Sequence, residues 1–175
     1  EKENLIVETG KGKSSGGKRP IMLTLKTDAV FALGIDVADE YFLRGVLCDF
    51  AGNCVLRTEV PYENNFDSIL DSLKILVSKL LRGRETKVIK GIGMAVSGIV
   101  DHRQNEVIHS TNFDIANRGL AELINRHTGL PVYMEKRPNT AAFAEKTMGS
   151  GKEFNEFIYL TTGRGVGAGI ITRGQ

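Results

Sequence analysis

Between residues 31 and 60, three apolar, β-favouring runs, FALGIDV (31–37), FLRGVLCDF (42–50) and NCVLRTEV (53–60), follow one another with no room between them for a helix. Ala51-Gly52-Asn53 joins the last two and carries a hairpin signal. The sheet must therefore begin with three antiparallel strands. From Phe66 to Arg82 the pattern changes: Ile69, Leu70, Leu73, Leu76, Val77 and Leu80 recur at spacings of three and four, which predicts an amphipathic helix packed on that sheet, with Asn65 placed to cap it. VIKGIGMAVSGIV (88–100) is apolar almost throughout and reads as a central parallel strand covered on both faces. Gly119 to His127 sets Leu120, Leu123 and Ile124 on one stripe of a short helix that stops at Gly129, before a strand over Pro131 to Met134. Pro138 suits the first turn of a third helix running through Ala141, Ala142 and Ala144 to Gly149. Two final strands, Phe157 to Thr162 and Gly167 to Thr172, flank a glycine loop. Three hairpin-joined strands followed by strands joined through helices demand a mixed sheet flanked by helices, an α/β class.

The 175 residues match one ordinary domain and are too few for two complete catalytic lobes with a cleft between them. With 41% apolar and 25% charged residues the chain is an ordered globular one. No apolar run approaches a membrane span and the start lacks the layout of a secretory signal, so the expected setting is cytoplasmic, with no membrane partner. The chain opens at Glu1 in charged, helix-compatible sequence, which reads as a piece excised at both ends. Cys48 and Cys54 lie in apolar stretches without a CxxC spacing or a neighbouring His pair, and are expected to be small core residues. His102, His109 and His127 are scattered, and His127 is placed to end a helix favourably. Neither a metal ion nor another cofactor is expected.

Charge is unevenly spread. Residues 1–27 carry Lys2, Lys11, Lys13, Lys18, Arg19 and Lys26 against three Glu, so the body, residues 28–175, has no general affinity for nucleic acid. The arm itself reads as a short strand (Leu5 to Glu8), a turn rich in Gly, Ser and Lys, and a second strand (Ile21 to Leu25). On composition alone it is either an exposed basic hairpin or a solvated linker.

Two segments invite nucleotide chemistry: the turn after the first strand of the body, GIDVADEYFL (34–43), and TTGRGVGAGI (161–170), where Gly163, Gly165 and Gly167 alternate and would let backbone amides approach a phosphate. A tight hairpin between two strands explains the second equally well. Taken in order, the segments resemble the ROK family of repressors and sugar kinases, which share an actin-like, ribonuclease-H-like fold. Gly34 to Tyr41 is similar to the family's GIDxGGTK, and Gly93 to Asp101 to its GxxxxGxVD stretch. An Asn-containing segment follows at Thr111-Asn112-Phe113; Glu135 to Glu145 is similar to ENDANAAAxAE, and Thr161 to Ile170 to TxGTGxGxGI. The resemblance implies that residues 28–175 form an N-terminal actin-like, sugar-binding lobe without its C-terminal partner. It also recasts the arm: Ser14 to Leu25 resembles the junction SSGGRRPxxLxL through which the wing of a winged helix-turn-helix leads into the lobe of the family's repressors, with Lys11, Lys13, Lys18 and Arg19 as the remnant of a DNA-contacting wing.

The departures from the kinase pattern bear on phosphoryl transfer, which depends on positioning, charge stabilisation and a proton acceptor. By resemblance the catalytic base is the Asp of END, and Arg137 stands there. A guanidinium stays protonated and cannot accept the proton of a sugar hydroxyl; loss of a base costs about 10²- to 10⁴-fold in rate. GGTK has become Ala38-Asp39-Glu40-Tyr41. If those carboxylates face the cleft rather than solvent, they repel polyphosphate, since like charges about 4 Å apart cost about 4 kcal/mol at an effective dielectric of 20. Arg164 could offset part of that. Asp36, Ala38, Asp39, Gly163, Gly165 and Gly167 are then vestiges of phosphate loops, and no catalytic residue is assigned.

The sugar site implied by the resemblance comprises Ser97 and Gly98, whose backbone would approach the ligand, Asn112, which would bond a hydroxyl, and Glu135, Lys136, Arg137 and Asn139 about the pocket. Lys136 and Arg137 together would suit a phosphorylated or acidic sugar. The reading that follows is the effector-sensing lobe of a ROK-type transcriptional regulator, of the xylose- or N-acetylglucosamine-repressor kind. It would bind a sugar or phosphosugar, reach DNA through an upstream winged helix and act as a homodimer. An ATP-dependent sugar kinase is the alternative, and a pseudo-kinase acting only in assembly a third.

Overall fold

A computed structural model describes residues 5–13, 16, 18–37, 41–85, 88–163 and 165–175. The arm is a separate antiparallel pair, β1 (Ile6–Lys11) and β2 (Ile21–Leu25), longer at its first strand than the sequence implied and exposed at every position. It is tied down at its base, where Lys26 N donates to Leu5 O at 2.8 Å and Phe50 N to Thr27 O at 2.9 Å.

The body is built on a five-stranded mixed sheet of order β5-β4-β3-β6-β9. Strands β3 (Phe31–Val37), β4 (Phe42–Asp49) and β5 (Cys54–Pro61) are the expected antiparallel meander, and β6 (Ile89–Val96) and β9 (Val132–Lys136) extend it in parallel on the other side of β3. The β4–β5 turn is clamped by Asp49, whose carboxylate accepts from Ala51 N at 3.0 Å, Asn53 N at 2.8 Å and Asn53 Nδ2 at 3.0 Å; the bond from the Asn53 side chain leads in holding it below the usual carboxylate range.

One face of the sheet carries the core. Leu33, Ile35 and Val37 of β3, Leu43 and Leu47 of β4 and Ile92, Met94 and Val96 of β6 are buried there. Helix α1 (Phe66–Leu81) covers β4 and β5 with Ile69, Leu73, Leu76, Val77 and Leu80, each such burial contributing about 1.5–3 kcal/mol. The Asn65 side chain caps it, accepting from Ser68 N at 2.9 Å. The helix lies so close to the sheet at Gly45 that a Cβ there would stand 2.8 Å from Leu80 Cδ1. Helix α2 (Leu120–Thr128) starts at Gly119, stops at the left-handed Gly129 and packs on β9 and α1. Helix α3 (Arg137–Thr147) has Pro138 in its first turn, contacts β6 and β9, and packs against a terminal antiparallel pair, β10 (Phe157–Thr162) and β11 (Val166–Ile171).

Three expectations need correction. The run 88–100 is two strands: Gly98, at φ +145°, breaks it, and β7 (Ile99–Asp101) turns away to pair with β8 (Glu106–His109). Nor is that run covered on both faces among the described residues. Its second face owes its apolar look to Gly93 and Ala95, which are small and at least partly open to solvent. The cysteines are not core residues either: Cys54 is exposed on the edge strand β5 and Cys48, its register partner, is half-buried. Burial, then the neighbouring Cys54 and Asp49, pushes the Cys48 thiol up, so it stays protonated at neutral pH. No helix among the described residues is long and apolar enough to cross a membrane.

Candidate functional site

The carboxyl end of β6, the start of β4, the β5–α1 connection, the 110–113 segment, the first turn of α3 and the β10–β11 loop converge on one cleft of about 650 Å³. Its floor lies where a parallel strand hands over to a helix, the usual place for a ligand on an open α/β sheet.

Arg137 is the first residue of α3 and lines this cleft. Its Nη2 lies 3.2 Å from Asp36 Oδ2 at the end of β3, with side-chain exposures of 45% and 27%. Asp36 Oδ1 is shut off from solvent. The cation expected in place of a catalytic base therefore faces the cleft and is neutralised by the aspartate of the first phosphate-loop motif. The rest of that motif, Ala38, Asp39 and Glu40, lies outside the described residues, as does Arg164.

The other implied sugar residues divide. Ser97 and Asn112 line the cleft with Arg137, whereas Gly98, Glu135, Lys136 and Asn139 do not. Gly98 faces the β7–β8 pair, where a Cβ would collide with the carbonyl oxygen of His109. Glu135 braces the start of α3: its Oε1 accepts from Lys136 N at 2.7 Å and from Asn139 Nδ2 at 3.0 Å, while its Oε2 lies 3.6 Å from His102 Nε2. Lys136 is the residue preceding the helix and contributes its amide to that brace.

The glycine loop splits in the same manner. Gly163 and Gly165 line the cleft, and a Cβ on either would meet nothing within 4 Å. Gly163 N already donates to Gly165 O at 3.0 Å, so that amide serves the turn. Gly167, also at the cleft, would set a Cβ 2.7 Å from Pro138 Cγ, and Gly169 would drive one into the Pro138 carbonyl. These last two glycines let β11 lie directly on α3.

Sequence reasoning missed Tyr62, Asn64 and Phe113, and gave Tyr41 only as a lost lysine. All four line the cleft. Asn64 Nδ2 donates to Asn112 O at 2.7 Å, and Asp114 N donates to Asn64 Oδ1 at 3.4 Å, so the β5–α1 connection holds the loop that presents Asn112. The only sequence signal was the cluster of aromatic and amide residues in PYENN (61–65), which reads equally well as a strand-to-helix turn. Among the described residues no group of His, Cys, Asp and Glu is arranged to hold a metal ion.

The family model described as "ROK family" matches residues 32–175. The xylose repressor of Bacillus spizizenii is 32% identical over 97% of this chain and 44% of its own length. A ROK family transcriptional regulator homologous to the MLC protein of E. coli superposes with a TM-score of 0.80 at 21% identity, over 99% of this chain and 45% of that one. The ROK family glucokinase from Streptomyces griseus, solved with glucose and AMPPNP, superposes with a TM-score of 0.75 at 25% identity, over 83% of this chain and 45% of that one. The chain thus spans less than half the length of these relatives, and it resembles repressors and sugar kinases alike.

Proposed function

Because the chain belongs to the ROK family, we propose that it is the sugar-sensing lobe of a transcriptional regulator and not part of a working sugar kinase. One observation carries the reading: Arg137 stands where the family resemblance puts the proton acceptor, lines the cleft, and lies 3.2 Å from Asp36. A permanently charged guanidinium accepts no proton, and here it also occupies the carboxylate that could otherwise have met a cation bound to phosphate. The arm supports the same reading. The regulator matches 99% of the chain and the glucokinase 83%, a difference close to the length of residues 1–27. Lys11, Lys13, Lys18 and Arg19 on and beside that hairpin then belong to the wing of a DNA-binding head.

The effector is a neutral sugar. Asp36 offsets the charge of Arg137, and Lys136 does not line the cleft, so a phosphosugar gains little there. Ser97, Thr111 and Asn112 supply hydroxyl and amide groups for sugar hydroxyls. In the whole protein, taken as a homodimer, the sugar would shift the balance of lobe conformations and with it the spacing of paired DNA-binding heads. The test is a coupled ATP assay of the full-length protein with D-glucose and D-xylose, run beside calorimetry with each sugar and its phosphate. Binding of a neutral sugar without turnover is expected. Turnover at the rate of an ordinary sugar kinase overturns the regulator reading, and tighter binding of the phosphate overturns the neutral effector.

A further inference from the structure

The chain has two cysteines, and the fold sets them on one rung of the sheet: Cys48 of β4 and Cys54 of β5 are register partners. Neither lines the cleft nor belongs to the core. Their meeting depends on an irregularity. Leu47 pairs with Leu56, so an unbroken register would put Val55 opposite Cys48; Val55 is instead the extra residue of a bulge, and Cys54 takes the place. The rung is held from both sides. Leu47 is buried in the core, and Asp49 clamps the turn through the amides of Ala51 and Asn53.

The backbone bonds of the turn fix the kind of rung. Asp49 N donates to Asn53 O at 3.0 Å, and Gly52, at φ +84°, turns its amide to Asp49 O at 3.0 Å. The next rung, Cys48 opposite Cys54, therefore falls at a non-hydrogen-bonded position, where Cα atoms stand about 4.5 Å apart and both side chains leave the same face. A disulfide takes Cα separations of about 4.4–6.8 Å, so the backbone already has the spacing. The Cβ atoms at such a rung are about 4.5 Å apart or more and must draw toward the disulfide mean of about 3.8 Å; bonds made under strain are the readily reduced ones. The two thiols are also close enough to feel each other, since Cys54 is among the neighbours that push the Cys48 thiol up. At present the Cys54 thiol donates to Leu56 O at 3.6 Å, a weak bond that a rotation about χ1 gives up.

We propose that Cys48 and Cys54 form a reversible disulfide across the β4–β5 hairpin, a peroxide-responsive site separate from the cleft. The Cys54 thiolate attacks hydrogen peroxide: an S–O bond forms, the O–O bond breaks, and the departing hydroxide takes a proton to become water. Cys48 then attacks the sulfur of the Cys54 sulfenic acid. The S–S bond forms, the S–O bond breaks, and the hydroxyl leaves with the Cys48 proton as a second water. The two thiols lose the two electrons that the peroxide gains, and a thiol reductant returns them by exchange. The bond closes residues 48–54 around the turn on which the arm hangs, through Phe50 N and Thr27 O at 2.9 Å. This chemistry does not depend on which ligand the cleft takes.

The experiment treats the full-length protein with one equivalent of hydrogen peroxide, unfolds it in acid and blocks the remaining thiols with N-ethylmaleimide. Trypsin then releases residues 45–57, which hold both cysteines with no Lys or Arg between them, and the peptide is weighed by mass spectrometry. Untreated protein should give a peptide with a maleimide on each cysteine. Treated protein should give one that has lost both labels and is lighter than the free dithiol by two hydrogens, and dithiothreitol should restore both labels. In Cys48→Ser the sulfenic acid on Cys54 has no thiol to resolve it and should be captured by dimedone, a capture that the wild type loses. Two maleimides after treatment, sulfinic acid on Cys54 of the wild type, or a bond from either cysteine to a different peptide overturns the site.

Discussion

Gly163 and Gly165, in the turn between β10 and β11, share a ten-residue segment (161–170) with Gly167 and Gly169 of β11, and the two pairs are glycine for different reasons. The first pair borders open cleft, where an added Cβ would meet nothing within 4 Å. The second pair is pressed on the first turn of α3, where Pro138 leaves no room for a side chain. Read as one motif, the alternation suggests a cradle for phosphate; read position by position, half of it is the packing of a strand on a helix. The first turn of α3 repeats the contrast from the other side. Pro138 is fixed by contact with β11, whereas its neighbour Arg137 stands half-exposed in the cleft and is fixed by a charge on β3.

The strongest test of this contrast is Gly169→Val. Its Cβ would strike the Pro138 carbonyl and approach Ala142 Cβ at 2.8 Å, and neither backbone nor a methyl group can swing aside as the end of a flexible chain could. We expect a loss of about 3 kcal/mol, at the upper end of what overpacking costs, and a fall in Tm of about 6–12 °C by scanning calorimetry. A Tm within about 2 °C of the wild type would show that β11 is free to lift from α3 and that packing is not why residue 169 is glycine.

How much of this could be read from the chain follows the same line. The β3–β4–β5 meander, α1 with its Asn65 cap and Pro138 at the head of α3 were legible because each rests on local chemistry: alternation, a period of 3.6, a side-chain oxygen for a free amide. The break at Gly98 was not, since a glycine in an apolar run looks the same whether it continues a strand or turns at φ +145°. Cys54 was misplaced because its run is apolar, while its exposure is set by β5 being the edge of the sheet. At the site, the resemblance located Arg137, but its partner Asp36 lies about a hundred positions away, and only the parallel pairing of β3, β6 and β9 brings the two together. Tyr62 and Asn64 reach the cleft in the same manner, across a fold and not along a motif.

The Arg137–Asp36 pair predicts a smaller effect than the glycine contact. Arg137→Met removes the cation from a carboxylate that is largely sheltered, which places the expected loss at about 1–2 kcal/mol, between the values for exposed and buried pairs. In an Asp36→Asn background the same substitution is expected to cost at least about 1 kcal/mol less, because an amide at residue 36 has no charge for the guanidinium to meet. A double-mutant cycle by urea unfolding measures this directly. Equal losses in both backgrounds would mean that the contact at 3.2 Å contributes nothing to the fold.

Smallest of all is Gly165→Ala, the counterpart of the first substitution four residues earlier, in the turn before β11. The Cβ of Gly165 would meet open space, so stability should stay within about 0.5 kcal/mol of the wild type. The outcome separates two meanings of an alternating glycine pattern. A substitution that costs nothing here and about 3 kcal/mol at Gly169 means that the segment is constrained where β11 touches α3 and not at the turn. A substantial loss at Gly165, with no neighbour for its methyl group to strike, would instead point to a turn that must change its backbone as the cleft is filled, and would shift the origin of the whole pattern back to the ligand.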